Sequence, residues 1–134
     1  MENKDIRRIT REVEHYFGFL LDRGYTVLQV DYAPDFSDNW IVTLASPHSR
    51  VYVGNDRDRI TLHLSAAQGP AATRKIPIER LIGTISEGSD IVVPFRNSMS
   101  GGKKAQFERL ARLLREHLDQ VISYFASGSP PIPD

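Results

Sequence analysis

The chain has 134 residues, 40% of them hydrophobic and 25% charged, with 17 basic and 17 acidic side chains and no cysteine. That length fits one domain burying roughly two-thirds of its unfolded surface. A formal net charge of zero supplies no overall field toward nucleic acid or an anionic membrane, and the absence of cysteine excludes disulfides, thiolate nucleophiles and cysteine metal sites.

Residues 5–23 predict an amphipathic helix, because Ile6, Ile9, Val13, Tyr16, Phe17, Leu20 and Leu21 recur at three- and four-residue spacing. Asn3 or Asp5 suits its cap, and Gly24 suits a stop. Lys4, Asp5, Arg7, Arg8 and Arg11 leave no uncharged stretch for a signal peptide, and no apolar run nears the ~20 residues of a membrane span. The expectation is a cytoplasmic protein.

Strands follow. Tyr25–Tyr32 reads as the first, with Leu28, Val30 and Tyr32 on one face, and 33–39 as a loop. Trp40–Ala45 reads as the second, with Trp40, Val42 and Leu44 on one side and Ile41 and Thr43 on the other. Ser46–Ser49 makes a turn into a hairpin whose strands alternate at Val51 and Val53 and at Ile60, Leu62 and Leu64. Gly54–Asp58 is its expected turn. Residues 67–77 read as a loop or crossover, Ile78–Ile85 as a short helix opened by Pro77, and Ile91-Val92-Val93 as a short β-prone piece that suits a fifth strand or a buried extended segment. Arg96–Gly102 is expected to be a loop. Residues 104–125 then give a second long helix, with Phe107, Leu110, Leu114, Leu118, Val121 and Phe125 on one stripe. The prediction is α+β: an antiparallel meander of four to five strands with two long helices and one short helix packed on one face. Residues 1–126 form a single domain and 127–134 a flexible Pro-rich tail.

No constellation of catalytic residues emerges. Ser100-Gly101-Gly102-Lys103-Lys104 has the outline of a phosphate-binding loop, but its first glycine would fall at Asn97 and Lys104 stands where a magnesium-holding hydroxyl belongs. What remains is a helix start where Gly101, Gly102, Lys103 and Lys104 offer N–H groups and charge to an anion. His15, His48, His63 and His117 lack metal-ligand spacing. His63 shares the polar side of its strand with Thr61 and Arg59, and Asp56 or Asp58 is its candidate acid–base partner. Asp35, Asp38, Asp56 and Asp58 read as turn residues, without a calcium-loop pattern. Residues 31–66 hold five acids against three bases, and residues 67–105 six bases against three acids. Neither region has the dense basic stripe with stacking aromatics of a nucleic-acid site, but the split suits orientation of a protein partner.

The run Val51-Tyr52-Val53-Gly54-Asn55-Asp56-Arg57-Asp58-Arg59-Ile60-Thr61-Leu62, placed after an N-terminal helix and before Ile76-Pro77-Ile78-Glu79-Arg80-Leu81-Ile82, resembles small uncharacterised bacterial proteins, some of them similar to immunity proteins of polymorphic toxin systems. The resemblance covers about residues 5–85, implies a protein partner and brings no catalytic residues to carry over; no cofactor is expected. The leading expectation is therefore a non-enzymatic protein-binding domain, with no nucleic-acid or membrane partner, that contacts another protein, such as a toxin, through Tyr52, Asp56, Arg57, Asp58, Arg59, Thr61 and His63. The alternative is a small-ligand or anion-binding protein, or a weak hydrolase, using the 96–104 loop with His48 or His63. Homodimerisation through an edge strand is a third expectation.

Overall fold

The computed structural model of the chain describes residues 4–35, 38–85 and 101–127. Helix α1 spans Lys4–Leu21 and buries Ile9, Val13, Phe17 and Leu20 on the predicted stripe. Its end is fixed by two reversed bonds: the Tyr25 N–H donates to the Leu20 carbonyl at 3.1 Å and the Gly24 N–H to the Leu21 carbonyl at 3.4 Å. This Schellman arrangement needs a left-handed residue, and Gly24 supplies it at φ 89°. Tyr25 then tucks into the core, sharing a buried hydrogen bond with the Ser49 hydroxyl.

The strands are β1 (Thr26–Ala33), β2 (Asn39–Ala45), β3 (Ser49–Asp56), β4 (Arg59–Ala66) and β5 (Ile76–Pro77), antiparallel in sequence order within one open sheet. Register aligns Val30, Val42, Val53 and Leu62 in one row and Val27, Leu44, Val51, Leu64 and Ile76 in another. Both rows face α1, α2 (Ile78–Ile85) and α3 (Lys103–Ala126), which lie on a single side of the sheet. The fold is α+β, as the alternation implied. A 3₁₀ turn at Pro70–Thr73 lies in the crossover before β5.

Three expectations need correction. Simple alternation puts Leu28 on one face with Val30 and Tyr32, but a β-bulge between Val27 and Gln29 removes it from that face, and Leu28 is 55% exposed while Val27 and Val30 face inward. The hairpin turn is shorter than Gly54–Asp58: β3 runs through Gly54 to Asp56, leaving only Arg57-Asp58 as the loop. Among the described residues a fifth strand is formed by Ile76–Pro77, inside the segment expected to be loop or crossover. Ile91–Val93, residues 96–100 of the predicted loop and 128–134 of the predicted tail lie outside the described residues.

Arg57 and Asp58 take φ 54° and 65°, the double left-handed pair of a type I′ turn, without the Asn-Gly that adopts it most readily. Each non-glycine side chain there costs on the order of 1 kcal/mol, less for Asp. The Arg57→Asn, Asp58→Gly double substitution is accordingly expected to stabilise the protein by about 1 kcal/mol. A urea midpoint that stays put or falls would contradict that.

Candidate functional site

The sheet face opposite the helices divides into two regions. Gln29, Thr43, Tyr52, His63 and Pro77 align in one row across the five strands; Asp31, Ile41, Gly54 and Thr61 align in the next. In the first row Thr43 is buried, and so is Tyr52, at 8% exposure. The Tyr52 hydroxyl shares a 2.9 Å hydrogen bond with Ser65, and the Lys75 ammonium lies 4.4 Å from its ring centroid. Tyr52 was expected among exposed contact residues; the alternation placed it on the correct face, but Lys75 covers it there.

The second row is open. Around it lies a cleft of about 600 Å³, whose wall includes Asp31, Ile41, Gly54, Asp56 and Thr61. Ile41 is 39% exposed. Gly54 is the floor: a Cβ built there would meet the Thr61 Oγ1 at 2.7 Å, closer than real Cβ atoms approach, with Ile41 Cγ1 and the Trp40 carbonyl at 3.6 Å. A side chain at position 54 would fill the cleft as well as crowd it. Asp31, Ile41 and Gly54 were not predicted as site residues. The available signal was an isoleucine on the polar side of β2 and a glycine inside an alternating run.

Polar side chains hold the hairpin end of the cleft. The Arg57 N–H donates to Asn39 Oδ1 at 3.0 Å, and Asn39 Nδ2 donates to Asp56 Oδ1 at 3.3 Å. Asn55 Nδ2 donates to the Asp38 carbonyl at 3.0 Å. The Asp38 carboxylate accepts from the Tyr32 hydroxyl at 2.7 Å and from Arg8 at 3.1 Å. The Tyr32 bond first, and then the Arg8 charge, hold that carboxyl below its usual range. From the helix layer, Gln106 reaches the same hairpin: its Oε1 accepts the Ile60 N–H at 2.7 Å, and its Nε2 donates to the Asp58 and Gly101 carbonyls at 3.0 and 3.1 Å.

Of the predicted contact residues, Asp56, Arg57, Asp58 and Arg59 are exposed around the hairpin end, and Thr61 and His63 are half-buried along β4. The acid–base pairing of His63 with Asp56 or Asp58 does not form. Asp56 lies opposite Arg59, four residues from His63, which is about 13 Å at strand rise. The charged neighbours of His63 are Glu79 and Lys75. Burial holds the imidazole below its ordinary pKa, Lys75 pushes it the same way, and Glu79 opposes them. The folded protein thus favours the neutral ring more than the unfolded chain does. The resulting stability is complete above the unfolded value of ~6.5 and is lost as pH falls from there toward the lower folded value. His63→Gln is expected to lose less stability than the parent on acidification below about pH 6.5, measured by urea midpoints. Parallel curves for the two proteins would refute the assignment.

The predicted anion-binding residues stand at the start of α3. Gly102 is the cap position, with no side-chain cap, and Gly101 has φ 85°. Lys103 Nζ lies 3.9 Å from Glu12 Oε1, so its charge is already engaged. Gly102, Lys104, Arg109 and Arg112 border a shallow depression, in which Arg109 Nε and Nη2 are buried without a hydrogen-bond partner. Neither histidine proposed to work with residues 96–104 is beside the described part of that segment, 101–104. Gln106 ties Gly101 to the hairpin turn, whereas His48 precedes β3 at the opposite end of the sheet, about 25 Å away at strand rise.

Among the described residues, no group of three or more His, Asp or Glu side chains is placed to hold a metal ion, and no helix is long and apolar enough to cross a membrane. Comparison with protein-family models, curated proteins and solved structures gives no match.

Proposed function

We propose that this chain is a non-enzymatic protein-binding domain, of the immunity-protein kind that neutralises a toxin, and that it docks through the hairpin end of its open sheet face. The observation that supports this most is the cleft over Gly54. The three helices among the described residues occupy the other side of the sheet, yet this side presents an exposed isoleucine in a concavity bordered by exposed Asp31 and Asp56, next to Arg57, Asp58 and Arg59. Apolar centre and charged border are the ordinary composition of a protein-binding patch. Tyr52, buried beneath Lys75, does not take part.

The test is capture of a stoichiometric partner by the tagged chain in its native organism, beginning with products of neighbouring genes. The partner is expected to be toxic when expressed alone and harmless beside this protein. Arg57→Glu with Arg59→Glu, and separately Ile41→Lys, should abolish both capture and protection. Capture that survives both sets of changes would place the contact elsewhere, and failure of the unaltered chain to protect would end the immunity reading.

A second reading, anion binding at the start of α3, is favoured by the buried, unpartnered Nε and Nη2 of Arg109 beside Gly101. Phosphate at 100 times its dissociation constant would stabilise the fold by ~2.7 kcal/mol. A thermal-shift series with inorganic phosphate and nucleotides that shows no rise would dispose of it.

A further inference from the structure

We propose that the cleft over Gly54 receives a basic side chain, an arginine, from the protein partner; this rests on the docking reading above and names its chemistry. The cleft wall contains two carboxylates, Asp31 and Asp56, and no lysine, arginine or histidine. In a chain whose formal charge is zero, that is a local segregation of negative charge.

Neither carboxylate is neutralised by an ion pair among the described residues. Asp31 accepts hydrogen bonds from the Gln29 amide at 2.8 and 2.9 Å, and Asp56 accepts one from the Asn39 amide at 3.3 Å. Arg59 faces Asp56 across the hairpin on the same side of the sheet, but it lies outside the wall and forms no ion pair with Asp56. The two acids flank the apolar centre. Asp31 pairs with Ile41, Ile41 with Gly54, and Asp56 follows two residues beyond Gly54, so the acids stand about 12 Å apart at sheet spacings.

An apolar side chain seated in this cleft would strip water from the carboxylates and return nothing to them. An acidic one would be repelled by both. A basic chain lays its methylenes on Ile41 and Gly54 and brings its charge to a carboxylate. Arginine fits better than lysine, because its planar guanidinium offers five donors and pairs with a carboxylate through two parallel bonds. The Thr61 hydroxyl is a further acceptor in the wall. A single arginine does not fill about 600 Å³, so the neighbouring residues of its segment enter with it.

The experiment is a nitrogen–proton NMR titration of the full chain with three probes: N-acetyl-arginine amide, N-acetyl-norleucine amide and N-acetyl-glutamate amide. The arginine probe is expected to move the amide signals of Ile41, Gly54 and Thr61, and added salt should weaken it. The surface double variant Asp31→Asn, Asp56→Asn is expected to bind it about tenfold more weakly with the fold intact. Gly54→Val should block it sterically; should that variant fail to fold, the carboxamide variant decides alone. Equal binding of the norleucine probe, indifferent to the carboxylates, would overturn the basic-side-chain inference and leave docking at this face standing. No movement of these signals with any probe would also overturn the inference, while the docking reading is judged separately by partner capture with the Arg57, Arg59 and Ile41 variants.

Discussion

Replacing Phe107 by alanine is expected to destabilise the protein by about 4 kcal/mol, a large share of the 5–15 kcal/mol that holds most domains folded. Phe107 is where α1, α3 and the sheet meet. Its ring stacks on Tyr16 of α1 at 4.6 Å with planes 2° apart, faces Trp40 of β2 at 6.2 Å and 16°, and takes the edge of Phe17 at 6.5 Å. Truncation to a methyl leaves a void between three rings, and rings on two different elements cannot close it by a change of rotamer. A loss of this size would lower the melting temperature by roughly 15 °C for a domain of this length. Phe107→Leu, which keeps most of the volume but not the stacking, should lose much less. If Phe107→Ala lowers the urea-extrapolated stability by under about 1 kcal/mol, the stack is not what joins the layers.

The preceding residue performs the polar half of the same task. Gln106→Ala is expected to cost about 3 kcal/mol, because it leaves the Ile60 N–H and the Asp58 and Gly101 carbonyls without partners in a region where Gln106 itself is buried. Gln106→Glu discriminates packing from bonding. A carboxylate keeps the shape and can accept from Ile60, but it faces two carbonyl oxygens with no proton to donate. It should therefore be nearly as damaging as alanine. Hydrogen exchange localises the effect: the Ile60 amide should lose protection in both variants while Val53 in the central strand keeps it. Ile60 protection that survives Gln106→Ala would show that the amide is not its partner.

The helices were legible because their signal is long. α3 was expected over 104–125 and spans Lys103–Ala126, and the α1 stripe contains every buried residue of that helix, although Leu21 at its end is 39% exposed. Strand detail was less legible, for separate physical reasons. Val27-Leu28-Gln29-Val30 accommodates two alternations, and only a bulge decides between them. Gly54 suggested a turn, but its role is close approach to Thr61 within a continuous strand, and the turn is built from Arg57 and Asp58. Ile76-Pro77 is too short to show any period. Tyr52 demonstrates that alternation reports which face a side chain occupies, not whether another residue lies on top of it.

The cleft was only partly legible. Asp56, Arg57, Asp58, Arg59 and Thr61 were expected near one another because they share a hairpin, whereas Asp31 and Ile41 join them only through the register of β1 on β2 and β2 on β3. Gln106 has a signal of its own in the sequence. It precedes Leu110, Leu114 and Leu118 at four-residue intervals, so it is a polar residue on an otherwise apolar stripe.

The Gln106 amide also limits how this protein can associate with itself. By accepting from Ile60 and donating to Asp58, it gives β4 what an adjoining strand would give, just where the two-residue β5, paired at His63 and Leu64, no longer reaches. The opposite margin, β1, has no neighbouring strand among the described residues. Two copies joined β1 to β1 would bury the eight-residue margin of each, and the pair would end in β5 on both sides, whose two residues offer a third copy little backbone to extend.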